Sequence, residues 1–140
     1  MFVHVFNRID RVLMRATKAR INTGFGTGFR GNAVLLICKG AKSGEERRVP
    51  LLSTPVGDDI VLVASKAGAE KNPAWYYNLK RYPECTVLRD GEAIPCVARE
   101  ATGTERERLW SLANENYSGY AAYQTRTDRV IPVMVLSRAR

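Results

Sequence analysis

Histidine and closely spaced cysteine are almost absent from this 140-residue chain. The single histidine is His4, and the three cysteines, Cys38, Cys85 and Cys96, lie far apart with no C-x-x-C pair. A zinc site draws on closely spaced histidine and cysteine ligands, and a catalytic thiol needs a histidine beside it. We therefore expect no metal site and no Cys–His catalytic pair. The cysteines are interpreted as reduced thiols packed among apolar side chains.

Long apolar runs are also lacking. The longest is the six-residue segment Ala33–Cys38, whereas a helix that spans a bilayer needs about 20 apolar residues. Six charged residues within the first twenty positions interrupt any signal-peptide core. The sequence thus predicts a cytoplasmic protein without a transmembrane helix.

The positive charge is unevenly distributed along the chain. The formal net charge is +8, and residues 1–31 hold six basic residues and one acid. Within them, residues 2–20 have the apolar spacing of a basic amphipathic helix, and the glycine-rich residues 24–31 are interpreted as a connector. Residues 32–140 form the second predicted unit. The charge leaves three classes of partner open: nucleic acid, an anionic membrane surface and a small polyanion.

Two glycine-containing segments resemble nucleotide-binding motifs only superficially. Residues 24–31 follow a predicted helix and precede a predicted strand, which is the reverse of the order that a dinucleotide fingerprint requires. In residues 40–48, Ala41 separates Gly40 from Lys42, so the sequence of a P-loop is missing and a P-loop nucleotide hydrolase is excluded. The segment still suits an anion because it is glycine-rich and basic. An ordinary charged hairpin turn is the alternative.

From residue 33 onward the apolar pattern is typical of short strands. The predicted strands are 33–38, 47–55, 60–64, 86–88, 92–98 and 130–136, the first three as an antiparallel meander. Two helices are inserted, one with Asn72 as its cap and Pro73 at its first position, and one capped by Thr102 or Thr104 that ends near Asn116. Short turns without regular strand–helix alternation favour a mainly β fold, a small antiparallel barrel of about six strands with helices outside.

Three further segments carry residues suited to binding a ligand. Residues 64–68 place small residues, one hydroxyl and one cation at a predicted strand end, where backbone amides can approach a flat molecule. Residues 71–78 bring three adjacent aromatic residues to a helix. Tyr117, Tyr120 and Tyr123 are three apart, so on a helix their rings would line one edge as a flat wall with hydroxyls at its rim. Ordinary turns and core packing are the alternatives.

Taken together, these segments resemble one known family. The strings Lys42-Ser-Gly, Ala64-Ser-Lys, Lys71-Asn-Pro-Ala-Trp-Tyr and Tyr117-x-x-Tyr-x-x-Tyr-Gln-x-Arg-Thr-Asp-Arg-x-Ile-Pro-Val occur in this order. They are similar to those of the deazaflavin-dependent nitroreductases, also called coenzyme F420-dependent quinone reductases. The resemblance implies a split β-barrel of the flavin-reductase type. It also implies reduced coenzyme F420 as cofactor, with flavin mononucleotide as the less favoured choice.

The resemblance further implies roles for individual residues. Those that would bind the cofactor are Lys42, Ser43 and Arg47 at its anionic tail, Ala64, Ser65, Lys66 and Ala67 at its ring, and Trp75 and Asn78 from the helix. Those that would bind the substrate are Leu52, Tyr117, Tyr120 and Tyr123. Ser65 and Tyr120 are the catalytic candidates for donating a proton, with bound water as the alternative. The chain departs from the family pattern at three places: Ala41 replaces a common arginine, Glu45 and Glu46 replace a neutral pair, and Leu52 stands where some members have a tyrosine that faces the substrate.

The predicted reaction is hydride transfer from the reduced coenzyme to a quinone, a nitro-heteroaromatic or an activated unsaturated carbonyl compound. The alternative is a non-catalytic carrier of a flavin-like or lipidic ligand. Nucleic acid is the least favoured partner because no reader motif accompanies the basic residues. Residues 2–20 are a candidate contact with an anionic membrane at the inner face of the plasma membrane, or else they cover the barrel or a dimer partner. Monomer and homodimer both remain open.

Overall fold

The computed structural model describes residues 32–139, so the helix and connector predicted for residues 1–31 lie outside this range. The strands are β1 Ala33–Lys39, β2 Glu46–Leu52, β3 Thr54–Val56, β4 Asp59–Val63, β5 Glu84–Arg89, β6 Glu92–Glu100 and β7 Val133–Arg138. The α-helices are α1 Ala74–Arg81, α2 Gly103–Asn116 and α3 Gly119–Gln124, and residues Lys66–Gly68 form a short 3-10 turn. No helix in the described range is both long and apolar enough to cross a membrane.

All seven strands belong to one antiparallel sheet with the order β2-β1-β5-β6-β7-β4-β3. β2 and β3 lie at opposite edges of this sheet, although only Ser53 separates them in the chain. The two edges can meet at Ser53 only because the sheet curls on itself. The result is a half-barrel with three helices packed against it, which confirms the predicted fold class.

Two details of the predicted fold are wrong. The predicted strand 47–55 is broken at Ser53, whose backbone N–H and side-chain hydroxyl both donate to the Asn32 carbonyl, at 2.8 and 2.7 Å. Because of this break β2 pairs with β1 while β3 pairs with β4, so the first three predicted strands do not form a meander. In addition, a third helix, α3, forms within the tyrosine-rich segment.

Alternate side chains of the central strands fill the inside of the barrel. Val87 of β5 lies opposite Leu36 of β1 and Ile94 of β6, and all three are almost completely buried. Helix α1 packs Trp75 and Leu79 into the same cluster. Burying each such side chain contributes about 1.5–3 kcal/mol, so α1 is firmly attached to the sheet.

The remaining helices cover the other face of β4 and β7. Val61 of β4 packs with Leu109 of α2, and Val63 packs with Ala113 of α2 and Tyr120 of α3. The chain that leaves β4 after Val63 therefore emerges beside α3. This placement brings two segments singled out in the sequence, residues 64–68 and the tyrosines, to the same end of the barrel.

Candidate active site

The first group of predicted site residues lies in the turn between β1 and β2 (residues 40–45, the β1–β2 turn). The turn is closed by a hydrogen bond from Gly40 N to Glu45 O, at 2.7 Å. The buried Asn78 of α1 fixes it further, since its Oδ1 accepts from Ala41 N at 2.8 Å. The position of this turn is therefore set by the helix.

The side chains of the β1–β2 turn and of adjacent β2 carry positive charge that acids partly neutralise. Lys42 is exposed and forms no ion pair within residues 32–139. Arg47 donates to Ser43 Oγ at 3.1 Å, and its guanidinium lies 3.4 Å from Glu45 Oε2. Exposed ion pairs contribute at most about 1 kcal/mol, so an anionic ligand can compete with Glu45 for Arg47.

The second group lies in the loop that follows β4 (residues 64–72, the Ser65 loop). Lys66, Ala67 and Gly68 have φ angles of 45°, 52° and 80°. In this left-handed region the Cβ of an ordinary residue crowds the backbone, at a cost of about 1–2 kcal/mol per residue. Such strain persists only where surrounding contacts enforce it, and it clusters at ligand-binding sites.

Gly68 packs directly on the helix that carries the tyrosines. A Cβ added to Gly68 would lie 2.6 Å from the carbonyl oxygen of Tyr123 and 2.9 Å from the Cβ of Arg126. Tyr123 belongs to α3 and Arg126 lies two residues beyond its end, so only glycine permits this approach. The Ser65 loop and α3 are thus held at contact distance.

The conformation of the Ser65 loop leaves several hydrogen-bonding groups open. Among the described residues nothing accepts from the backbone N–H of Ser65, Lys66 or Ala67, and Ser65 Oγ has no partner although that residue is only 9% exposed. Buried polar groups are normally paired, and neighbouring backbone N–H groups form a cradle for electron-rich atoms. The loop therefore fits the polar edge of a flat heteroaromatic ring such as a deazaflavin.

Arg129, which has no role among the sequence predictions, holds the Ser65 loop through four hydrogen bonds. Its Nε donates to Ala69 O at 2.8 Å and its Nη2 to Ser65 O at 2.7 Å. Its Nη1 donates to Ala64 O at 3.2 Å and to Asn72 Oδ1 at 2.7 Å. Arg129 is part of the string that carries the family resemblance. No local pattern in the sequence indicates these contacts, because the partners lie 57 to 65 residues away along the chain.

The three predicted substrate tyrosines pack together next to the Ser65 loop (Tyr117, Tyr120 and Tyr123, the tyrosine wall). The rings of Tyr117 and Tyr120 meet edge to face with centroids 5.1 Å apart, and the hydroxyls of Tyr117 and Tyr123 are hydrogen-bonded at 2.7 Å. Leu52 packs against the same cluster. Tyr120 is only 5% exposed, and burial raises its pKa above the ordinary value, so its hydroxyl is protonated at neutral pH. The structure thus brings all four predicted substrate residues together.

Helix α1 runs between the β1–β2 turn and the Ser65 loop. It has eight residues, about 12 Å at the usual rise. Trp75 is 4% exposed and belongs to the barrel core, while the buried Asn78 accepts the hydrogen bond from the β1–β2 turn. Asn72 does not cap the helix as predicted: Pro73 occupies that position, and the Asn72 side chain accepts from Arg129 instead.

The described residues offer neither a metal centre nor a reactive thiol. No group of three or more metal-ligating side chains comes together in the range 32–139. All three cysteines are free and buried, as predicted, and burial raises the pKa of Cys96 to about 11. Thiolates of these cysteines are therefore scarce at neutral pH.

Comparison with known sequences places the chain in one family. The sequence model of the F420H(2)-dependent quinone reductases matches residues 9–138. An F420H(2)-dependent quinone reductase of Mycobacterium tuberculosis strain H37Rv is 34% identical over 134 residues, which is 94% of this chain and 89% of the relative. The predicted coenzyme and the predicted quinone reductase activity are those of the matched family.

Two solved structures are also similar to this chain. One, described as an F420-H2 dependent reductase (FDR-A), is 45% identical with a TM-score of 0.71 and covers 76% of this chain and 94% of its own. The other, described as a domain-swapped dimer, is 39% identical with a TM-score of 0.73 and covers 97% of this chain and 98% of its own. The family resemblance and the predicted split barrel are confirmed, and this chain belongs to the F420H(2)-dependent quinone reductase family.

Proposed function

We propose that this chain transfers a hydride from reduced coenzyme F420 to a quinone at the junction of the Ser65 loop and the tyrosine wall. The observation that carries the proposal is the set of open donors on the Ser65 loop, in contact with α3, in a chain of this family. Membership of the family makes the protein an oxidoreductase that depends on F420H2. The proposal concerns where and how the residues of this chain serve that activity.

The coenzyme would lie along α1. Its anionic tail would reach Lys42, Ser43 and Arg47 at the β1–β2 turn, and its ring would lie against residues 64–67 of the Ser65 loop. α1 connects the two contacts, since it begins directly after the Ser65 loop and its Asn78 holds the β1–β2 turn. Trp75 anchors α1 in the barrel core, and Asn78 fixes the turn.

The residues of this chain would orient the reactants and stabilise charge. When bound, the coenzyme supplies the hydride. The fixed Ser65 loop would hold the ring, and the tyrosine wall with Leu52 would hold a flat acceptor above it. Reacting atoms about 3–3.5 Å apart are already near the transition state, so much of the catalytic effect would come from this placement.

Negative charge develops on the acceptor oxygen, and two hydroxyls are candidates to stabilise and protonate it. Ser65 Oγ is free to donate because no described residue accepts from it. Tyr120 remains protonated because it is buried. A bound water is the alternative. The variants Ser65→Ala and Tyr120→Phe distinguish these candidates. Substitution of the residue that donates the proton should greatly lower kcat and leave the Kd of the coenzyme unchanged. If kcat falls in neither variant, the donor is a bound water.

The decisive experiment is a fluorescence titration of coenzyme F420 with the purified chain, with flavin mononucleotide beside it. We expect quenching of F420 at micromolar protein, weaker binding of flavin mononucleotide, and oxidation of F420H2 by menadione. Absence of quenching contradicts the proposal. Retention of a ligand without turnover of any quinone, nitro-heteroaromatic or unsaturated carbonyl acceptor would instead favour the carrier. The same acceptor panel tests the proposed range beyond quinones.

Assembly and surroundings are further proposals. The solved relative described as a domain-swapped dimer supports a homodimer over a monomer, and light scattering distinguishes the two. The basic spacing of residues 2–20 supports contact with an anionic membrane. Flotation with anionic vesicles, compared between the unsubstituted chain and one with glutamine at the basic positions of residues 2–20, tests this. Equal flotation of both proteins contradicts it.

A further inference from the structure

The guanidinium of Arg129 forms all of its hydrogen bonds among the described residues with one loop, the Ser65 loop. All three of its guanidinium nitrogens donate to the Ser65 loop, three times to backbone carbonyls and once to Asn72. The carbonyls belong to Ala64, Ser65 and Ala69, which enclose the left-handed residues 66–68 on both sides. Arg129 therefore joins the two ends of the strained segment through one rigid group.

This arrangement requires the planar fork of an arginine. The guanidinium presents five N–H donors in a fixed plane, whereas the lysine ammonium is a single point of charge. Within residues 32–139 no carboxylate forms an ion pair with Arg129, and loss of water lowers its pKa. A partly buried cation that is satisfied by carbonyls instead of a carboxylate acts mainly through geometry.

Arg129 is itself held by the helix of the tyrosine wall. Gln124, which follows Tyr123 on α3, donates through Nε2 to Arg129 O at 2.7 Å and accepts from Ile131 N through Oε1 at 2.9 Å. A continuous series of hydrogen bonds thus runs from α3 through Arg129 to the Ser65 loop. It fixes the tyrosine wall and the loop relative to one another.

We propose that Arg129 is a positioning residue for hydride transfer, which holds the Ser65 loop in the conformation that receives the deazaflavin ring. The proposal rests on the proposed binding of the ring at that loop. Without the guanidinium, Lys66 and Ala67 would relax to ordinary φ angles, and the open N–H groups of the loop would turn away from the ligand. Arg129 would therefore affect recognition of the ring and not of the anionic tail.

The test compares Arg129→Ala with a matched control, Arg106→Ala. Arg106 also donates to a backbone carbonyl of the same region, Ile131 O at 2.8 Å, but makes no hydrogen bond to the Ser65 loop. Two probes are titrated by fluorescence: the complete coenzyme F420 and the deazaflavin riboside without the phosphate and glutamate tail. Thermal unfolding is recorded for each variant so that binding is measured on folded protein.

In Arg129→Ala we expect the Kd of both probes to rise by the same factor, about tenfold. Guanidinium ion at millimolar concentration should restore part of the affinity, which a purely structural role would not predict. Arg106→Ala should lower the melting temperature but leave both Kd values within about twofold of the original. Asn72→Ala, which removes one of the four acceptors and keeps the fold, should raise both Kd values by a smaller common factor.

Three results would overturn the proposal. The first is unchanged binding of both probes in folded Arg129→Ala, or in Asn72→Ala if Arg129→Ala does not fold. This result would mean that the hydrogen bonds of Arg129 do not affect binding of the ring. A loss confined to the complete coenzyme places the effect at the tail. Absence of binding of either probe to the unsubstituted chain removes the proposed function, and this inference with it, whereas the first two results leave the proposed function intact.

Discussion

The β1–β2 turn and the Ser65 loop flank the same helix but are built in opposite ways. The β1–β2 turn presents flexible charged side chains to solvent, and Arg47 of adjacent β2 already has an acid, Glu45, within ion-pair distance. The Ser65 loop presents backbone N–H groups from residues with left-handed φ angles, held by Arg129 from within the fold. The β1–β2 turn and adjacent β2 offer exposed charged side chains with little geometric restraint, and the Ser65 loop offers backbone donors in a fixed geometry.

This difference teaches which property of the ligand each region can recognise. Exposed charges attract any anion and are screened by salt, so the β1–β2 turn sets affinity more than identity. Fixed N–H groups accept only a ligand whose acceptors match their positions, and that is how the Ser65 loop would distinguish a ring and hold it for reaction. Substitutions in the two regions should therefore differ in size and in salt dependence.

The largest effect is expected at Gly68. Gly68→Ala places a Cβ in the left-handed region and 2.6 Å from Tyr123 O, so the loop must move or α3 must shift. We expect a loss of about 2–4 kcal/mol in the free energy of unfolding, together with loss of coenzyme binding. Urea denaturation and fluorescence titration measure the two effects.

The matched control is Gly57→Ala, in the turn between β3 and β4. Gly57 also has a positive φ, +60°, but an added Cβ would meet nothing within 4 Å. This variant should therefore show only the conformational cost, about 1–2 kcal/mol, and normal coenzyme binding. Equal loss of stability in both variants would mean that contact of the loop with α3 is not tight.

The second largest effect is expected at the β1–β2 turn and adjacent β2. Changing Lys42 and Arg47 together to glutamate should raise the Kd of the complete coenzyme about 10- to 100-fold at low salt, since two charge-assisted contacts become repulsive. The factor should shrink as salt is added, because exposed charges are screened over about 10 Å at 0.1 M ionic strength. Titration of F420 at several salt concentrations measures this.

The control changes the same amount of charge elsewhere. Changing Arg89 and Arg138 together to glutamate alters the net charge by the same amount. Because Leu35 pairs with Leu88, Arg89 lies near the start of β1, whereas the turn follows the end of β1. This variant should bind F420 with nearly its original affinity. A similar loss in both double variants would show that net charge, and not the turn, attracts the coenzyme.

The two regions were not equally predictable from the sequence. The charged turn was evident, because Gly40, Lys42 and Arg47 are close together in the chain and their chemistry does not depend on exact conformation. The Ser65 loop was only weakly indicated by its small residues, hydroxyl and cation, and its role at the cofactor ring came from the family resemblance alone. Nothing in the local sequence predicts left-handed φ angles at Lys66 and Ala67, since such residues disfavour that region and tertiary hydrogen bonds impose it.

The dependence on distant partners also explains the errors in the predicted fold. The apolar pattern of residues 47–55 continues through Ser53, so no local signal showed that the chain passes there from one sheet edge to the other. Asn72 and Pro73 have the residue types of a helix start, but Asn72 is used by Arg129 instead. The strands, the barrel and the tyrosine wall depend on periodicity, whereas these features depend on distant partners.

A smaller effect, of opposite sign, is expected from Glu45. Glu45→Gln removes the acid 3.4 Å from the guanidinium of Arg47, and its side chain is largely exposed. Arg47 is then free for the coenzyme, so the Kd should fall about two- to threefold at low salt and be unchanged at high salt. The comparison variant is Glu46→Gln, whose acid pairs with Arg48 instead. Tighter binding in Glu46→Gln alone would assign the tail to Arg48.

The smallest effect on binding is expected from Tyr76, on the helix that joins the two regions. Tyr76 Oη donates to Glu100 Oε1 at 2.7 Å, and burial together with this hydrogen bond raises the pKa of Tyr76 to about 12. Tyr76→Phe should lower the free energy of unfolding by about 1 kcal/mol at neutral pH. Binding of F420 should change by less than about twofold, because Asn78 and Arg129 hold the two regions separately.

The pH dependence follows from the direction of the shift. A group with a raised pKa in the folded protein stabilises the fold fully below its pKa in the unfolded chain, which for tyrosine is about 10. That contribution is lost as the pH rises through about 12, when the folded phenol ionises beside Glu100. Urea denaturation of Tyr76→Phe and the unsubstituted chain should therefore differ at about pH 8 and converge toward pH 12. A difference that persists unchanged at pH 12 would mean that the hydrogen bond to Glu100 is not the source of the stabilisation by Tyr76.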